Sequence, residues 1–291
     1  MSSLRGVLGW TGVMVFVAAV MALAAFPLHR GKPTARQIRQ RLLLELRPVA
    51  LQNCTLERIG SAYDGGYLMC GNLLGNIQSA YSYGIGPADD WGCEISQRHG
   101  VAVHQYDCFN PPQVECVGGR PVFHDECIGP ARDMIESRVF DTLAQQIFKN
   151  GDTGKTLVVK IDVEGAELES LLATPDRVLE RLDQLAMEIH GVDAQFLELV
   201  RKLKRTFHLV HLHYNNQACS PRLRPLPAWA YQVLFVNKRI GVRDPSTPAP
   251  TLPHPLDAPD NPLVGDCLSF EVPPRKPSTQ FPDTPWARRE N

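Results

Sequence analysis

The feature that most constrains the fold is a regular alternation of short apolar runs with helical patterns. Most of the runs are rich in β-branched or aromatic residues, as expected of strands in a parallel sheet covered on both faces. They lie at residues 80–85, 101–106, 121–123, 157–161, 184–189, 208–213 and 230–236. Helical repeats lie between several of them, for example Phe196, Val200 and Leu203 with Leu199 beside them. This alternation predicts βαβ units and an α/β fold.

Two further patterns refine this prediction. A four-residue apolar spacing predicts a helix across Ile135, Val139, Leu143 and Ile147. The last two apolar runs are joined by a proline-rich segment without helical periodicity. We therefore expect these two runs to form an antiparallel pair that closes the sheet.

The N-terminal segment is a separate element. Residues 6–28 carry no charge, and 23 residues are enough to span a hydrocarbon layer of about 30 Å as a helix. We predict a single-pass membrane anchor, with a signal peptide cleaved near Ala22-Leu23-Ala24 as the alternative. The side of the membrane stays open. The basic residues after the span favour the cytosolic side, whereas the sequon Asn53-Cys54-Thr55 favours a secretory lumen.

The rest of the chain divides by composition. We predict an anchor at 1–28, a basic stalk or capping helix at 29–54, a domain at 55–240 and a largely disordered tail at 241–291, where twelve of the 24 prolines lie. A net charge of -1 and the absence of zinc-finger spacing argue against nucleic acid as a partner. The eight cysteines form no CxxC pair, and their even number permits disulfides without requiring them.

Polar residues follow the apolar runs, at the sheet edge where α/β proteins bind ligands. Gly84 and Gly86 follow the first run and let a ligand approach the backbone closely. Asp107 lies 21 residues beyond Gly86, where a carboxylate can bind both hydroxyls of a ribose. The remaining run ends carry His124, Asp125, Asp162, Glu164, Glu188, His190, His213, Asn215 and Asn216. Unpaired buried charges cost several kcal/mol each, so this series predicts a solvated functional cleft.

Three segments resemble one family. KIDVEGAE (residues 160–167), DGGY (residues 64–67) and YSYGIG (residues 81–86) are similar to segments of the FkbM-type S-adenosylmethionine-dependent methyltransferases. The resemblance covers roughly residues 55–238. The glycine loop departs from the family pattern, because Pro87 follows Gly86 and Ala88 stands at the third glycine position.

The resemblance implies a class I methyltransferase fold, Rossmann-like, with a seven-stranded, mostly parallel sheet whose last strand is antiparallel. It implies S-adenosylmethionine as cofactor, with Gly84 and Gly86 beside its methionine part and Asp107 on its ribose. His124 and Asp125 would lie beside the adenine, and Asp162 would face the transferred methyl group. Relatives methylate hydroxyl oxygens, so the expected substrate is a hydroxyl of a sugar, a glycan or a small metabolite.

A hydroxyl is a weak nucleophile until its proton is removed, and a positioned base supplies about 10²–10⁴-fold. The candidate bases are His190, Asp162 and His213. In a second version, Asp162, Glu188 and Asn215 bind a divalent cation that lowers the pKa of the acceptor hydroxyl.

Two other functions stay open. A catalytically inactive binding module with this fold is favoured by the irregular glycine loop. A membrane-anchored glycosyltransferase has the same order of segments, but the chain lacks the Asp-x-Asp motif that such enzymes commonly use. A nicotinamide dehydrogenase is disfavoured, because position 89 is aspartate where G-x-G-x-x-G requires glycine.

Overall fold

The computed structural model of the chain describes residues 32–267. It begins with helix α1 (Ala35–Glu45) and an antiparallel hairpin of β1 (Leu56–Gly60) and β2 (Gly66–Cys70). The remaining elements follow in chain order: β3 (Ser79–Tyr83), α2 (Asp90–His99), β4 (Val103–Tyr106), β5 (Pro121–His124), β6 (Cys127–Ile128), β7 (Asp133–Ile135), β8 (Arg138–Asp141), α3 (Leu143–Lys149), β9 (Leu157–Ile161), α4 (Ala166–Ala173), α5 (Asp176–Leu179), β10 (Leu182–His190), α6 (Ala194–Thr206), β11 (Phe207–Tyr214) and β12 (Ala230–Asn237).

Seven strands form the central sheet in the order β11-β12-β10-β9-β3-β4-β5. The first strand of this sheet in the sequence is β3, in the middle of the sheet. Strands β4 and β5 are added on one side of it, and β9 follows on the other side. Strand β9 pairs parallel with both β3 and β10, while β12 pairs antiparallel with both β10 and β11. The direction of strand addition therefore changes between β3 and β9, which is where open α/β sheets bind ligands.

The predicted fold class is wrong in two respects. First, the strand order does not match a Rossmann fold. The sheet does have seven strands, most of them parallel, with the last strand β12 antiparallel, and β11 and β12 form the expected antiparallel pair at its edge. Strand β12 lies between β10 and β11, so the order departs from the Rossmann order, in which successive strands are added outward from the centre. Strand β12 pairs along its length with both neighbours and is antiparallel to each of them.

Second, a transmembrane helix was expected. No helix within residues 32–267 is long and apolar enough to cross a bilayer, and the predicted anchor at residues 6–28 lies outside the described residues. The described residues therefore contain no segment that supports the predicted single-pass membrane localisation.

The helix predicted from the four-residue apolar spacing is also wrong in its first half. Ile135 and Val139 lie on the antiparallel pair β7 and β8. Glu136 and Ser137 form the turn between these strands with φ of 48° and 66°. The helix begins only after Thr142, whose hydroxyl accepts a hydrogen bond from the Gln145 amide. The four apolar residues thus lie on both sides of a β-turn and of a helix N-cap. Apolar periodicity alone does not detect either feature.

Both faces of the sheet are buried. Val158 packs in a cluster with Trp91 of α2 and Ile59 of the β1–β2 hairpin. Its neighbour Val159 packs in a second cluster that includes Leu171 of α4 and Leu199 of α6. Successive residues of a strand point to opposite faces, so β9 contributes to both clusters and lies at the centre of the layered domain.

Four disulfides join all eight cysteines, pairing Cys54 with Cys70, Cys93 with Cys116, Cys108 with Cys127 and Cys219 with Cys267. Such bonds form and persist in oxidising compartments and are rare in reducing ones. The complete pairing therefore indicates an oxidising environment, secreted or extracellular.

Residues 254–267 form what we call the strap. They have no helix or strand, yet side-chain hydrogen bonds fasten them to the sheet. His211 of β11 lies 2.7 Å from Asp257, and Gln232 of β12 donates to Asp260 at 2.9 Å. Asn216 donates to two strap carbonyls, at 2.8 and 2.7 Å. This part of the predicted tail thus lies against β11 and β12, next to the carboxyl edge of the sheet.

Candidate functional site

A cavity of about 660 Å³ opens at the carboxyl ends of β3, β4 and β9. Its volume lies within the ~300–1,000 Å³ range of small-molecule sites. Its lining includes Gly84, Gly86, Asp107, Phe109, Lys160 and Asp162. The sequence-predicted glycine loop, Asp107 and Asp162 therefore share one cavity at the point where the direction of strand addition changes.

The glycine loop is shaped by a close approach to β9. Gly84 has φ of +71°, and a Cβ there would lie 1.6 Å from the Asp162 carbonyl oxygen. The loop is also held from within the sheet, because Lys160 Nζ donates to the Gly84 carbonyl at 2.5 Å. Only glycine satisfies both the left-handed backbone and the contact, so this residue fixes the distance between the loop and Asp162.

Asp107 organises two cavity walls through backbone amides. Its Oδ2 accepts from Ile85 and Gly86 at 3.2 and 3.3 Å, and its Oδ1 accepts from Phe109 and Asn110, both at 2.8 Å. A carboxylate has about four acceptor positions, so these amides occupy all of them. A ribose hydroxyl could bind Asp107 only by displacing or sharing the two longer bonds.

Asp162 joins two of the motifs found in the sequence. The buried Tyr67, from DGGY, donates its hydroxyl hydrogen to Asp162 Oδ2 at 2.8 Å. Lys160 Nζ lies 3.9 Å from the same oxygen. The other oxygen, Oδ1, lies 3.8 Å from His190 Nε2. Asp162 therefore lies between the glycine loop and a second group of polar residues around His190.

His190, at the end of β10, is held by a buried carboxylate. Glu167 is fully buried, and its Oε1 accepts from the His190 backbone amide at 2.8 Å and lies 3.3 Å from Nδ1. Its Oε2 accepts from the Gly165 amide at 2.7 Å. The ring therefore has a fixed orientation, with Nε2 directed at Asp162 and at Glu164, whose Oε2 is 3.5 Å away.

The charge state of His190 follows from these neighbours. Burial by itself lowers the pKa of the imidazole, but hydrogen bonding and attraction to Glu167, with the charges of Glu188 and Asp162, raise the pKa above its ordinary value. These neighbours favour the protonated, imidazolium form of the ring. The predicted role of His190 as general base stays a prediction, and it requires the neutral imidazole, whose nitrogen has a free lone pair.

In the predicted metal trio of Asp162, Glu188 and Asn215, the Asn215 side chain is engaged at both of its polar atoms. Asn215 Oδ1 accepts from the Gln217 amide at 2.8 Å, and its amide nitrogen donates to Glu188 Oε1 at 2.7 Å. An amide nitrogen does not coordinate a cation. Burial and the Asp162 charge raise the pKa of Glu188 to about 8. A different trio, Asp162, Glu164 and His190, brings its ligating atoms within 4.8 Å of one another.

Six of the predicted site residues do not line the cavity: His124, Asp125, Glu188, His190, His213 and Asn215. His213 is buried beside the strap, with Nε2 3.6 Å from Asp266, and burial lowers its pKa. His124 stacks on Tyr106 and pairs with His104 Nδ1 at 3.0 Å. Asp125 is exposed. The structure thus separates the predicted third base and the predicted adenine contacts from the cavity.

Sequence reasoning assigned no role to four residues that the site contains: Tyr67, Lys160, Glu167 and Trp229. Lys160 gave a signal, because a charge in an otherwise apolar central strand needs a partner. Glu167 gave none, since an acidic residue in a first helical turn usually only favours the helix dipole. Trp229 is 45% exposed, and its ring lies 6.2 Å from that of His190.

Comparisons with known proteins add little. No family model and no curated protein matches the chain. Among solved structures, the crystal structure of Thermoplasma acidophilum 1320 matches with 16% identity and a TM-score of 0.31. The match covers 61% of this chain and 83% of that one. At this level a likeness supports no argument about function, so the resemblance to FkbM-type enzymes rests on the quoted segments alone.

Proposed function

We propose that the chain is an S-adenosylmethionine-dependent methyltransferase that transfers a methyl group to a hydroxyl of a sugar, a glycan or a small metabolite. One observation carries the proposal. The glycine loop, Asp107 and Asp162 line a single cavity at the point where strand addition changes direction.

The cofactor would supply an activated methyl group, so the chain mainly has to bind and align the acceptor. The backbone of Gly84 and Gly86 allows a ligand to approach β3 closely, and Phe109 offers an apolar wall. Asp162 lies at the end of the cavity next to His190 and is the group placed to take the hydroxyl proton. The imidazolium of His190 would stabilise the charge on Asp162 and orient the acceptor.

A binding module without catalytic activity is the second candidate, and Asp107 is the observation that favours it. Its four acceptor positions are taken by backbone amides. A carboxylate committed to the loop in this way suits a scaffold that has no ribose to bind.

Calorimetry on the full-length, disulfide-bonded chain separates the two. S-adenosylmethionine and its demethylated product should bind with one site per chain. Asp107→Asn keeps the size of the side chain but weakens its acceptors, and we expect at least tenfold weaker binding, about 1.4 kcal/mol. Asp125→Asn, at an exposed position outside the cavity, should bind as the wild type does. No binding at millimolar ligand would exclude the methyltransferase and favour the binding module.

A further inference from the structure

We propose that Asp162, Glu164 and His190 bind one divalent metal cation at the end of the cavity where Asp162 lies. The catalytic role of this cation, which is to position and activate an acceptor hydroxyl, rests on the proposed function. The binding of the cation is independent of the proposed function.

The spacing of the ligating atoms fits a small cation. His190 Nε2 lies 3.5 Å from Glu164 Oε2 and 3.8 Å from Asp162 Oδ1. These distances exceed the ~2.7–3.2 Å of an ordinary N–H···O hydrogen bond. Metal bonds of about 2.0–2.2 Å place neighbouring ligand atoms roughly 3–3.5 Å apart. All three ligating atoms lie within 4.8 Å of one another, so a cation at the centre would require shifts of about 1 Å or less.

The orientation of His190 is an independent observation that points to a metal. Its side chain is only 7% exposed, and the fully buried Glu167 fixes the ring through Nδ1. Histidines that coordinate metals usually make this second contact to a carboxylate, which sets the tautomer and directs the other nitrogen at the ion. Nε2 is the nitrogen that faces Asp162 and Glu164, and a bound cation would displace the proton from it.

The backbone also directs Glu164 toward this point. Glu164 has φ of +52° and Gly165 has φ of +106°, so the chain turns sharply after β9. The Glu164 side chain is 83% exposed, yet its carboxylate lies beside the buried His190 ring. A left-handed non-glycine residue costs of order 1–3 kcal/mol and persists where the surrounding structure holds it, as the β9–α4 turn does here.

The charged groups around His190 favour the binding of a cation. Glu188 Oε1 lies 4.0 Å from His190 Nε2, and Asp260 of the strap is close enough for its charge to act on Glu188. Lys160, the lysine nearest to Asp162 in the described residues, is bound to the Gly84 carbonyl. Asp162 and Glu164 are two carboxylates beside a single imidazole that already contacts Glu167, and a cation would balance their charge.

The ligand set narrows the choice of ion. Two carboxylates with one imidazole suit Mn²⁺ or Zn²⁺ better than Ca²⁺ or Mg²⁺, which prefer oxygen ligands throughout. Three protein ligands leave positions for an acceptor hydroxyl, whose pKa the ion would lower. With the ion bound, Asp162 acts as a ligand and the cation takes over the activation of the hydroxyl.

The test consists of two titrations of the full-length chain. Binding of Mn²⁺ is measured from the electron paramagnetic resonance signal of the free ion, and binding of Zn²⁺ is measured by calorimetry. No cofactor is added. We expect one saturable site per chain. Glu164→Gln should weaken binding at least tenfold, whereas Glu169→Gln, at an exposed position on the next helix, should leave it unchanged. Both positions are exposed, so loss of folding is not expected.

A third variant tests the role of Glu167 in positioning His190. Glu167→Gln keeps all three ligands but removes the charge behind the ring, and we expect about 10–100-fold weaker metal binding. Absence of saturable Mn²⁺ and Zn²⁺ binding at millimolar concentration overturns the proposal, as does equal affinity in Glu164→Gln and Glu169→Gln. Metal binding without cofactor binding would overturn only the proposed function, and cofactor binding without metal binding only this inference.

Discussion

The Tyr67 hydroxyl donates a 2.8 Å hydrogen bond to Asp162 Oδ2, although the two residues are 95 positions apart in the chain. Tyr67 lies on β2, which pairs only with β1 and is no part of the seven-stranded sheet. A small hairpin outside the sheet thus sets the orientation of a carboxylate at its centre. The hydrogen bond from Tyr67 occupies Asp162 Oδ2, so that Oδ1 faces His190.

Replacing Tyr67 by phenylalanine removes this donor without removing the buried ring. Burial and the nearby Asp162 raise the pKa of Tyr67 well above its ordinary value, so the hydroxyl donates throughout the neutral range. We expect Tyr67→Phe to lower the free energy of unfolding by about 1.5–3 kcal/mol, the usual range for a bond to a charged group. Denaturant titration measures it. Tyr63→Phe, at an exposed tyrosine, is the control, and equal losses in both variants would contradict the prediction.

Alanine substitutions at Gly84 and Gly86 distinguish the cost of a left-handed backbone from the cost of a steric clash. Both residues have left-handed φ, which costs alanine about 1–2 kcal/mol. An added Cβ at Gly86 meets no atom within 4 Å, whereas at Gly84 it would overlap the Asp162 carbonyl. We expect a loss of about 1–2 kcal/mol in Gly86→Ala and a clearly larger loss in Gly84→Ala, measured by thermal or chemical denaturation. Comparable losses would mean that the loop moves away freely.

Removing the disulfide between Cys219 and Cys267 should release the strap. The two cysteines are 48 residues apart, and loop-closure entropy gives this bond about 4 kcal/mol, against about 3 kcal/mol for Cys54–Cys70 with its separation of 16. The double serine variant at 219 and 267 should lose stability and gain protease cleavage within residues 241–267. The double serine variant at 54 and 70 is the control. Its strap should stay protected, and cleavage there at the same rate would refute the assignment.

The buried His104 predicts a loss of stability in acid. Burial lowers its pKa to about 4, although Asp152 nearby acts in the opposite direction. An unfolded histidine has a pKa near 6.5, so the unfolded chain binds the proton first as the pH falls. The stabilising contribution is complete above about pH 6.5 and is lost between that pH and about pH 4. It amounts to at most about 3 kcal/mol.

The His104→Gln variant isolates this contribution. Its free energy of unfolding should fall less steeply than that of the wild type between pH 6.5 and pH 4, even if it is lower at pH 7. Urea titrations at a series of pH values give both curves. Parallel curves would show that His104 does not titrate in the folded protein over this window.

The strands could be predicted because each is a compact apolar run. Each of the seven runs contributes a strand to the sheet, and β9 occupies the same residues, 157–161, as its run. The place of β12 could not be predicted. The proline-rich connection indicated its antiparallel pairing with β11, but it carried no information about its second neighbour, β10.

The candidate site was predictable in part for a related reason. Positions at the strand ends put Gly84, Asp107 and Asp162 together, because the carboxyl ends of parallel strands share one edge. The stacking of His124 on Tyr106 could not be predicted in this way, because it depends on the pairing of β5 with β4. Sequence spacing also gave no indication that backbone amides occupy Asp107.

The strap has a consequence for the order in which the protein is made. A ribosome delivers Cys267 after all strands of the sheet, so Cys219 must wait as a free thiol while the domain assembles around it. Cys54 and Cys70 can be joined long before that. The last crosslink to close therefore fastens the segment that brings Asp260 toward Glu188. Late formation of this disulfide, by an oxidation catalyst, would thus be needed to hold the Asp260 carboxylate near Glu188.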